Sequence, residues 1–288
     1  MQFWKMNGAG NDFIILNNLD GALAEASFSR LAQTLCERRL SIGADGLMIV
    51  EKPTEDGANA GANFRMRFYN SDGTIGEMCG NGARCIARYG VETGLSESTP
   101  VIETTAGIVT GERIDRRRYR VRLNDPTVIR LNDTLSVEAN GRLSRNLTCH
   151  YVELGNPGLP HAAIPYTDLQ KADENELREL GRAIRWYKAF PKGANVNFYE
   201  ITGPDTVYER TFERGVEDFT YACGTGTGSV VTVLTLLGQV SGKNVQVDMR
   251  GGRLTIDVER DGDRVTGLYL TGPTNIVAKG EVCDEDLI

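Results

Sequence analysis

The sequence predicts an α+β protein of two similar lobes, on three observations. Its 288 residues exceed one ordinary hydrophobic core and fall short of three. Alternating strand-like segments outnumber helical ones, and the short connections between them favour antiparallel pairing. The same order of strand, helix, strand, glycine-rich turn, buried helix and hairpins runs twice, either side of a boundary near Leu123–Pro126. That repetition points to an ancient duplication.

In the first half, residues 1–6 and 11–17 read as strands around the turn Asn7-Gly8-Ala9-Gly10. Residues 28–39 carry Leu31, Leu35 and Cys36 on one helical face. Gly43-Ala44-Asp45-Gly46 leads into an apolar strand, and "FRMRFYN" alternates up to the turn Asn70-Ser71-Asp72-Gly73. Asn81 to Tyr89 is helical, with Gly94 as its cap. Three short strands follow: "VIETTAG", "IVTGERI" and "YRVRLN". In the second half a helix spans about 173–187, with Leu177, Leu180 and Ile184 facing inward. "ANVNFYEI" and "VYERTFERG" are strands. Ser229–Leu237 is apolar or small throughout, so it reads as a helix buried on every side and ended by Gly238. Hairpins close the chain.

Composition excludes several function classes. Hydrophobic residues make up 40% and charged residues 25%, the balance of a soluble globular protein. The net charge of −7 argues against nucleic acid or an anionic membrane as partner. Arg116-Arg117-Arg118 reads as a solvated turn. There is no apolar run long enough to span a bilayer and no secretory start, so a cytoplasmic protein is expected. The six cysteines, at 36, 79, 85, 149, 223 and 283, are scattered without a Cys-x-x-Cys, so free thiols are expected and no metal site is. Cys36 and Cys85 read as core; Cys149 and Cys283 carry no motif; His150 reads as structural. No Gly-Lys-Ser/Thr follows either glycine turn, which argues against a nucleotide P-loop.

Two of the cysteines stand directly before glycine turns that open helices: Cys79-Gly80-Asn81-Gly82 and Cys223-Gly224-Thr225-Gly226. A helix N-terminus offers free N–H groups and the positive end of a dipole, which favour a thiolate and lower a thiol pKa toward neutrality. The same groups can cradle a carboxylate as it gains charge. Two such motifs facing each other across a cleft between the lobes could invert a stereocentre. One thiolate would remove a proton from carbon while the opposite thiol delivers one.

With these motifs the chain resembles the diaminopimelate epimerase family. The matching pieces run in order over nearly the whole length: Lys5-Met6-Asn7-Gly8-Ala9-Gly10-Asn11-Asp12-Phe13, Gly43–Gly46, Tyr69–Gly73, Met78–Gly82, Gly155-Asn156-Pro157, Asn195-Val196-Asn197-Phe198, and Glu213-Arg214-Gly215 leading to Cys223–Gly226. The resemblance implies two lobes, each a mixed or antiparallel barrel-like sheet wrapped around a central helix. It places residues 1–122 with the tail 274–288 in one lobe and 123–273 in the other. It implies cofactor-independent epimerisation of LL-diaminopimelate to the meso form, for lysine and peptidoglycan precursors, by a homodimer. Cys79 and Cys223 would be the acid/base thiols. Gly80, Asn81, Gly224 and Thr225 would hold the reacting carboxylate. Asn11, Asn70, Asn156, Asn195 and Arg214 would hold the distal end, with Glu213 near the thiols and the substrate ammonium.

The chain departs from the family pattern Gly-Asn-Pro-His, reading Gly155-Asn156-Pro157-Gly158-Leu159-Pro160-His161 as if Gly158-Leu159 had been inserted before His161. A longer loop is expected there, with His161 reaching a place from which it tunes the thiols. Glu217-Asp218-Phe219 is bulkier than the family's turn, and Gly46 stands where some relatives have Gln. The alternatives are a racemase or epimerase of another amino acid on the same fold, a one-nucleophile cysteine hydrolase, and a non-catalytic binding protein.

Overall fold

The computed structural model describes residues 1–76, 79–139 and 142–283; Met78 of the first cysteine motif and residues 284–288 of the tail lie outside the described residues. The chain divides into two compact units, one of Met1–Val121 with the strand returning after Thr271, the other of Arg122–Leu270.

In the first unit the chain runs β1 (Gln2–Gly8), β2 (Asn11–Asn17), α1 (Phe28–Cys36), β3 (Gly46–Glu51), α2 (Glu55–Asn59), β4 (Phe64–Asn70), α3 (Gly80–Glu92), β5 (Val101–Thr104), β6 (Gly107–Arg113) and β7 (Arg118–Arg122). The second unit adds β8 (Pro126–Ala139), β9 (Arg142–Leu154), β10 (Leu159–Pro165), α4 (Glu174–Arg185), β11 (Asn195–Gly203), β12 (Thr206–Phe212), α5 (Gly224–Leu236), β13 (Val245–Met249), β14 (Gly252–Asp261) and β15 (Arg264–Pro273). β16 (Asn275–Glu281) then pairs with β1, Gln2 facing Glu281.

Strand order is β16-β1-β2-β3-β4-β5-β6-β7 in the first unit and β8-β9-β10-β11-β12-β13-β14-β15 in the second. The pairing directions repeat. β1·β2, β3·β4 and β5·β6 are antiparallel, like β9·β10, β11·β12 and β13·β14. β2·β3 and β4·β5 are parallel, like β10·β11 and β12·β13. The parallel pairs qualify the antiparallel expectation, and the reason is topological. Each is bridged by a helix (α1, α3, α4 or α5), which supplies the crossover length that a parallel pair needs.

α3 and α5 are the central helices. α3 is buried from Gly80 to Gly90, packed on β1, β2 and β6. α5 packs on β9, β10, β11 and β14 and buries Val230, Val231, Val233 and Leu234 completely. Those side chains contribute at most roughly 6–12 kcal/mol of hydrophobic stabilisation. α1 and α4 are amphipathic and cover the outer faces; α4 buries Leu177, Leu180 and Ile184 and is capped by Asp173, which accepts from the Asn175 and Glu176 N–H groups.

Register makes the internal repeat concrete. In the first unit Phe13 faces Gly46, Met48 faces Phe68, and Val50 faces Met66. In the second His161 faces Asn195, Asn197 faces Thr211, and Tyr199 faces Glu209. Phe13, Met48, Met66 and Phe68 therefore hold the positions of His161, Asn197, Glu209 and Thr211. The first set lies within one apolar cluster with α3 residues Cys85, Ile86, Ala87 and Tyr89. The second set is polar, and it lies beneath α5.

Candidate active site

Both central helices begin at a cysteine with extended backbone: Cys79 at φ −116° and ψ 109°, Cys223 at φ −118° and ψ 102°. N-caps are ordinarily Ser, Thr, Asp or Asn. A cysteine at both ends puts a thiol where the unpaired N–H groups of the first turn converge.

In the first unit the Cys79 Sγ accepts from the Gly82 N–H at 3.4 Å and donates to Asn11 Oδ1 at 3.4 Å. Asn11 is fixed in turn, donating to Asp45 Oδ2 at 2.6 Å. Asp45 and Asp12 share Arg38, and Lys5 pairs with Asp12 at 2.8 Å. Burial opposes ionisation of Asp12, but hydrogen bonds from Arg38 and Lys5 outweigh it and hold the carboxyl below its ordinary range. Beneath the helix start, Arg84 is completely buried, donating to Gly80 O at 3.1 Å and Asn81 Oδ1 at 2.8 Å. Burial pulls its pKa down to about 10, so it remains a cation at neutral pH, and the nearby Cys79 thiolate would favour that charge. The Asn81 side chain thus faces inward, while the backbone of the Gly80–Asn81 turn opens the helix. Asn70 closes the turn after β4, its amide donating to Thr74 Oγ1 at 3.0 Å.

In the second unit Cys223 Sγ lies 3.6 Å from Thr225 Oγ1. Burial first, and then the Glu213 carboxylate, push this thiol well above the ordinary cysteine range. The helix N-terminus alone predicts a lowered thiol pKa. Here the Gly226 N–H and Thr225 do pull downward, and desolvation outweighs them. Glu213 Oε1 accepts from Thr220 Oγ1 at 2.7 Å. Asn195 is buried at the start of β11; it donates to Pro160 O at 3.2 Å and accepts from the Arg214 N–H at 2.8 Å. It therefore anchors the Glu213-Arg214 turn to β10. Asn156 is exposed and precedes a cis peptide bond to Pro157.

His161 lies in β10 and is fully buried. Its Nδ1 is 3.3 Å from the Asn197 amide nitrogen, which also reaches Ala162 O and Asn195 O. An amide nitrogen among acceptors makes Nδ1 the acceptor, so the proton of this imidazole sits on Nε2. Burial, with the Arg214 guanidinium second, lowers the His161 pKa to about 3 and keeps the ring neutral. The bulkier 217–219 turn has a structural role: Glu217 accepts from Arg185 at 3.1 Å and Asp218 from Arg178 at 2.8 Å, both on α4.

Gly226 has a specific steric task. A Cβ there would stand 2.2 Å from Asn197 Oδ1 and 3.2 Å from Cys223 Sγ. Gly82, its counterpart, faces Met48 Cε at 2.5 Å. A cavity of about 10 Å³, room for one water, is lined by Glu209, Thr211, Thr220, Tyr221, Cys223 and Arg250 among others.

The motif reading misses Arg84, Glu209, Thr211 and Thr227. A signal existed for Glu209 and Thr211: strand alternation in "TVYERTF" puts them on the same face as the buried Val207. A charged residue on an inward face is a functional flag. Among the described residues no cluster of three His, Cys, Asp or Glu side chains is placed to hold a metal ion, and no helix is long and apolar enough to cross a membrane.

Against known proteins, the sequence profile of a family described as "Diaminopimelate epimerase" matches residues 3–128 and 154–277. The chain is 36% identical to a "Diaminopimelate epimerase" of Aquifex aeolicus, over 100% of this chain and 99% of that one. It is 37% identical to one of Carboxydothermus hydrogenoformans, over 98% and 99%. Among solved structures it shares its fold with a hydroxyproline epimerase from Agrobacterium vitis (TM-score 0.69, 16% identity, covering 98% of this chain and 90% of that one). A phenazine biosynthesis PhzF family protein from Enterococcus faecalis also matches (TM-score 0.67, 14% identity, 98% and 99%). Profile and relatives both extend over the cysteine-capped helices of the two units, and the chain belongs to the diaminopimelate epimerase family.

Proposed function

We propose that this chain epimerises LL-diaminopimelate to meso-diaminopimelate by a two-base mechanism that uses no cofactor, in the supply of lysine and peptidoglycan precursors. The observation that carries the reading is family membership over both units, each with a cysteine N-capping its central helix. One thiolate takes the α-proton: the C–H bond breaks, an S–H bond forms, and the electron pair moves into the carboxylate. The other thiol gives its proton to the opposite face of the carbon and becomes the thiolate. The charge developing on the carboxylate is met by first-turn N–H groups at Gly80, Asn81, Gly224 and Thr225.

Asn11, beside the Cys79 sulfur, orients that thiol as well as substrate. Asn70, Asn156, Asn195 and Arg214 serve the distal amino-acid end. Asn195 keeps a second amide hydrogen and a second lone pair for this after anchoring Arg214, and Arg214 can clamp a carboxylate with two bonds. Glu213 faces the substrate ammonium and, with neutral His161, sets the environment of Cys223. The working form is a cytoplasmic homodimer.

The test is α-proton exchange in heavy water over a panel of amino acids, with Cys79→Ser and Cys223→Ser alongside wild type. LL-diaminopimelate should exchange and invert, and each serine variant should lose ~10²–10⁴-fold of full epimerisation. Exchange with another amino acid and none with diaminopimelate would reassign the substrate. Near-normal turnover in either single variant would remove the two-base mechanism.

A further inference from the structure

The layer beneath Cys223 contains a group that the chemistry above does not use. Glu209 is 2% exposed, and among the described residues it has no ion-pair partner. Its Oε2 is 2.7 Å from Thr227 Oγ1 and its Oε1 is 3.3 Å from Thr211 Oγ1. Thr227 Oγ1 also lies 2.9 Å from Cys223 O, and Thr211 Oγ1 lies 3.1 Å from Asn197 Oδ1.

The polar contacts of Glu209 are thus two neutral hydroxyls, and the Cys223 carbonyl already accepts the Thr227 N–H at 2.9 Å. A carboxylate here would bury an uncompensated charge. A neutral carboxylic acid removes that charge and keeps the contacts: Glu209 donates through Oε2 to Thr227, Thr227 donates to the Cys223 carbonyl, and Thr211 donates to Oε1. The internal repeat sharpens the point. At the matching position of the first unit stands Met66, in a layer completed by Phe13, Met48 and Phe68. The same backbone is apolar under Cys79 and carries an acid under Cys223.

We propose that Glu209 is a positioning residue for Cys223, held as a neutral acid that braces the α5 N-cap through Thr227 and, once ionised, opposes loss of the Cys223 proton. The proposal rests on the reading that Cys223 exchanges a proton with substrate. The surrounding charges are accounted for. Glu213 in the adjoining turn adds negative charge near both Glu209 and Cys223. From β10, His161 is neutral and has Arg214 nearby. Arg210 on the same strand and Arg250 after β13 both turn to Glu174. Thr227 and Asn197 complete the shell without charge. Burial raises Glu209 to about 8 against the pull of the two threonines, and Glu209 is among the groups raising Cys223. Glu209 thus ionises first, and Cys223 then titrates against a carboxylate.

The experiment is peptide-resolved iodoacetamide alkylation of Cys223 against pH, on the full chain, for wild type and Glu209→Gln. Glutamine can donate to Thr227 and accept from Thr211, so the bracing survives and only the titration goes. The Cys223 alkylation midpoint should fall by about one pH unit in the variant, roughly tenfold faster alkylation at pH 8. Coincident midpoints in a variant that melts with wild type would overturn the proposal. Should the variant not fold, infrared spectroscopy of wild type decides. A buried, protonated carboxylic acid band present at neutral pH and lost under alkaline conditions supports the proposal; its absence at neutral pH overturns it. Neither readout needs turnover, so a failed epimerase assignment would register separately as absence of diaminopimelate exchange.

Discussion

Alanine at Gly226 and at Gly82 forms a matched pair of perturbations, because the two glycines occupy the same place in the two units. At Gly226 the new methyl would stand 2.2 Å from Asn197 Oδ1, roughly 1 Å inside van der Waals contact. Asn197 is short, and it is held by Thr211 at 3.1 Å, His161 at 3.3 Å and Ala162 O at 3.4 Å. Moving it loosens two buried hydrogen bonds at ~1 kcal/mol each and adds strain of ~1–3 kcal/mol. The helical advantage of alanine over glycine returns ~0.5–1 kcal/mol. A net loss of ~2–4.5 kcal/mol follows. At Gly82 the obstacle is Met48 Cε, the free end of a flexible side chain, so the net change stays within ~1 kcal/mol. In thermal denaturation Gly226→Ala should melt ~5–10 °C below wild type and Gly82→Ala within ~3 °C of it. Turnover should also fall ~10²-fold in Gly226→Ala, since the methyl presses on Cys223 Sγ. Equal melting temperatures for the two variants, or the greater loss at Gly82, would refute the reasoning.

Two further outcomes follow from the buried charges. Arg84 lacks a carboxylate partner among the described residues, so Arg84→Met should change the melting temperature little, while iodoacetamide titration should show the Cys79 midpoint moving up as its neighbouring cation is lost. The pH dependence of stability should carry the mark of Glu209. Its folded pKa is raised to about 8, so its contribution is fully present below the unfolded carboxyl range and is lost as pH rises toward 8. Over pH 6.5–8 urea denaturation should therefore show stability falling by up to ~1.4 kcal/mol per pH unit in wild type and nearly flat in Glu209→Gln. His161, lowered to about 3, acts with the opposite sign and below this window: its contribution is present above the unfolded imidazole range and is lost as pH falls toward 3.

Much of this is legible in the chain because it rests on local rules. The glycine turns after Cys79 and Cys223 announce helix starts, and the uniformly apolar run ending at Gly238 announces a helix with no solvent face. Alternation fixes the strands, although parallel pairing emerges only once α1, α3, α4 and α5 are in place as crossovers. The chemistry beneath the thiols is a different matter. Arg84 reads as an ordinary polar helix residue until tertiary packing closes over it. Alternation puts Glu209 on the inward face with Val207, but only register sets it opposite Tyr199 and under Thr227. The sign of the Cys223 shift depends on desolvation, a property of the assembled unit and not of the helix end that the motif reveals. His161 keeps a buried place as the third residue of β10, which begins at Leu159, so Leu159 and Pro160 extend the strand and not the loop.

The pairing of β1 with β16 sets an order of events during synthesis. Gln2 must wait for Glu281, and the Met1 carbonyl for the Val282 N–H, so one side of β1 stays open until β16 has been made. The second unit, continuous from Arg122 to Leu270, has every strand it needs earlier. The unit that holds β1 is thus completed after the other, and until β16 is made β1 presents an unsatisfied edge that a chaperone or a neighbouring nascent chain can reach.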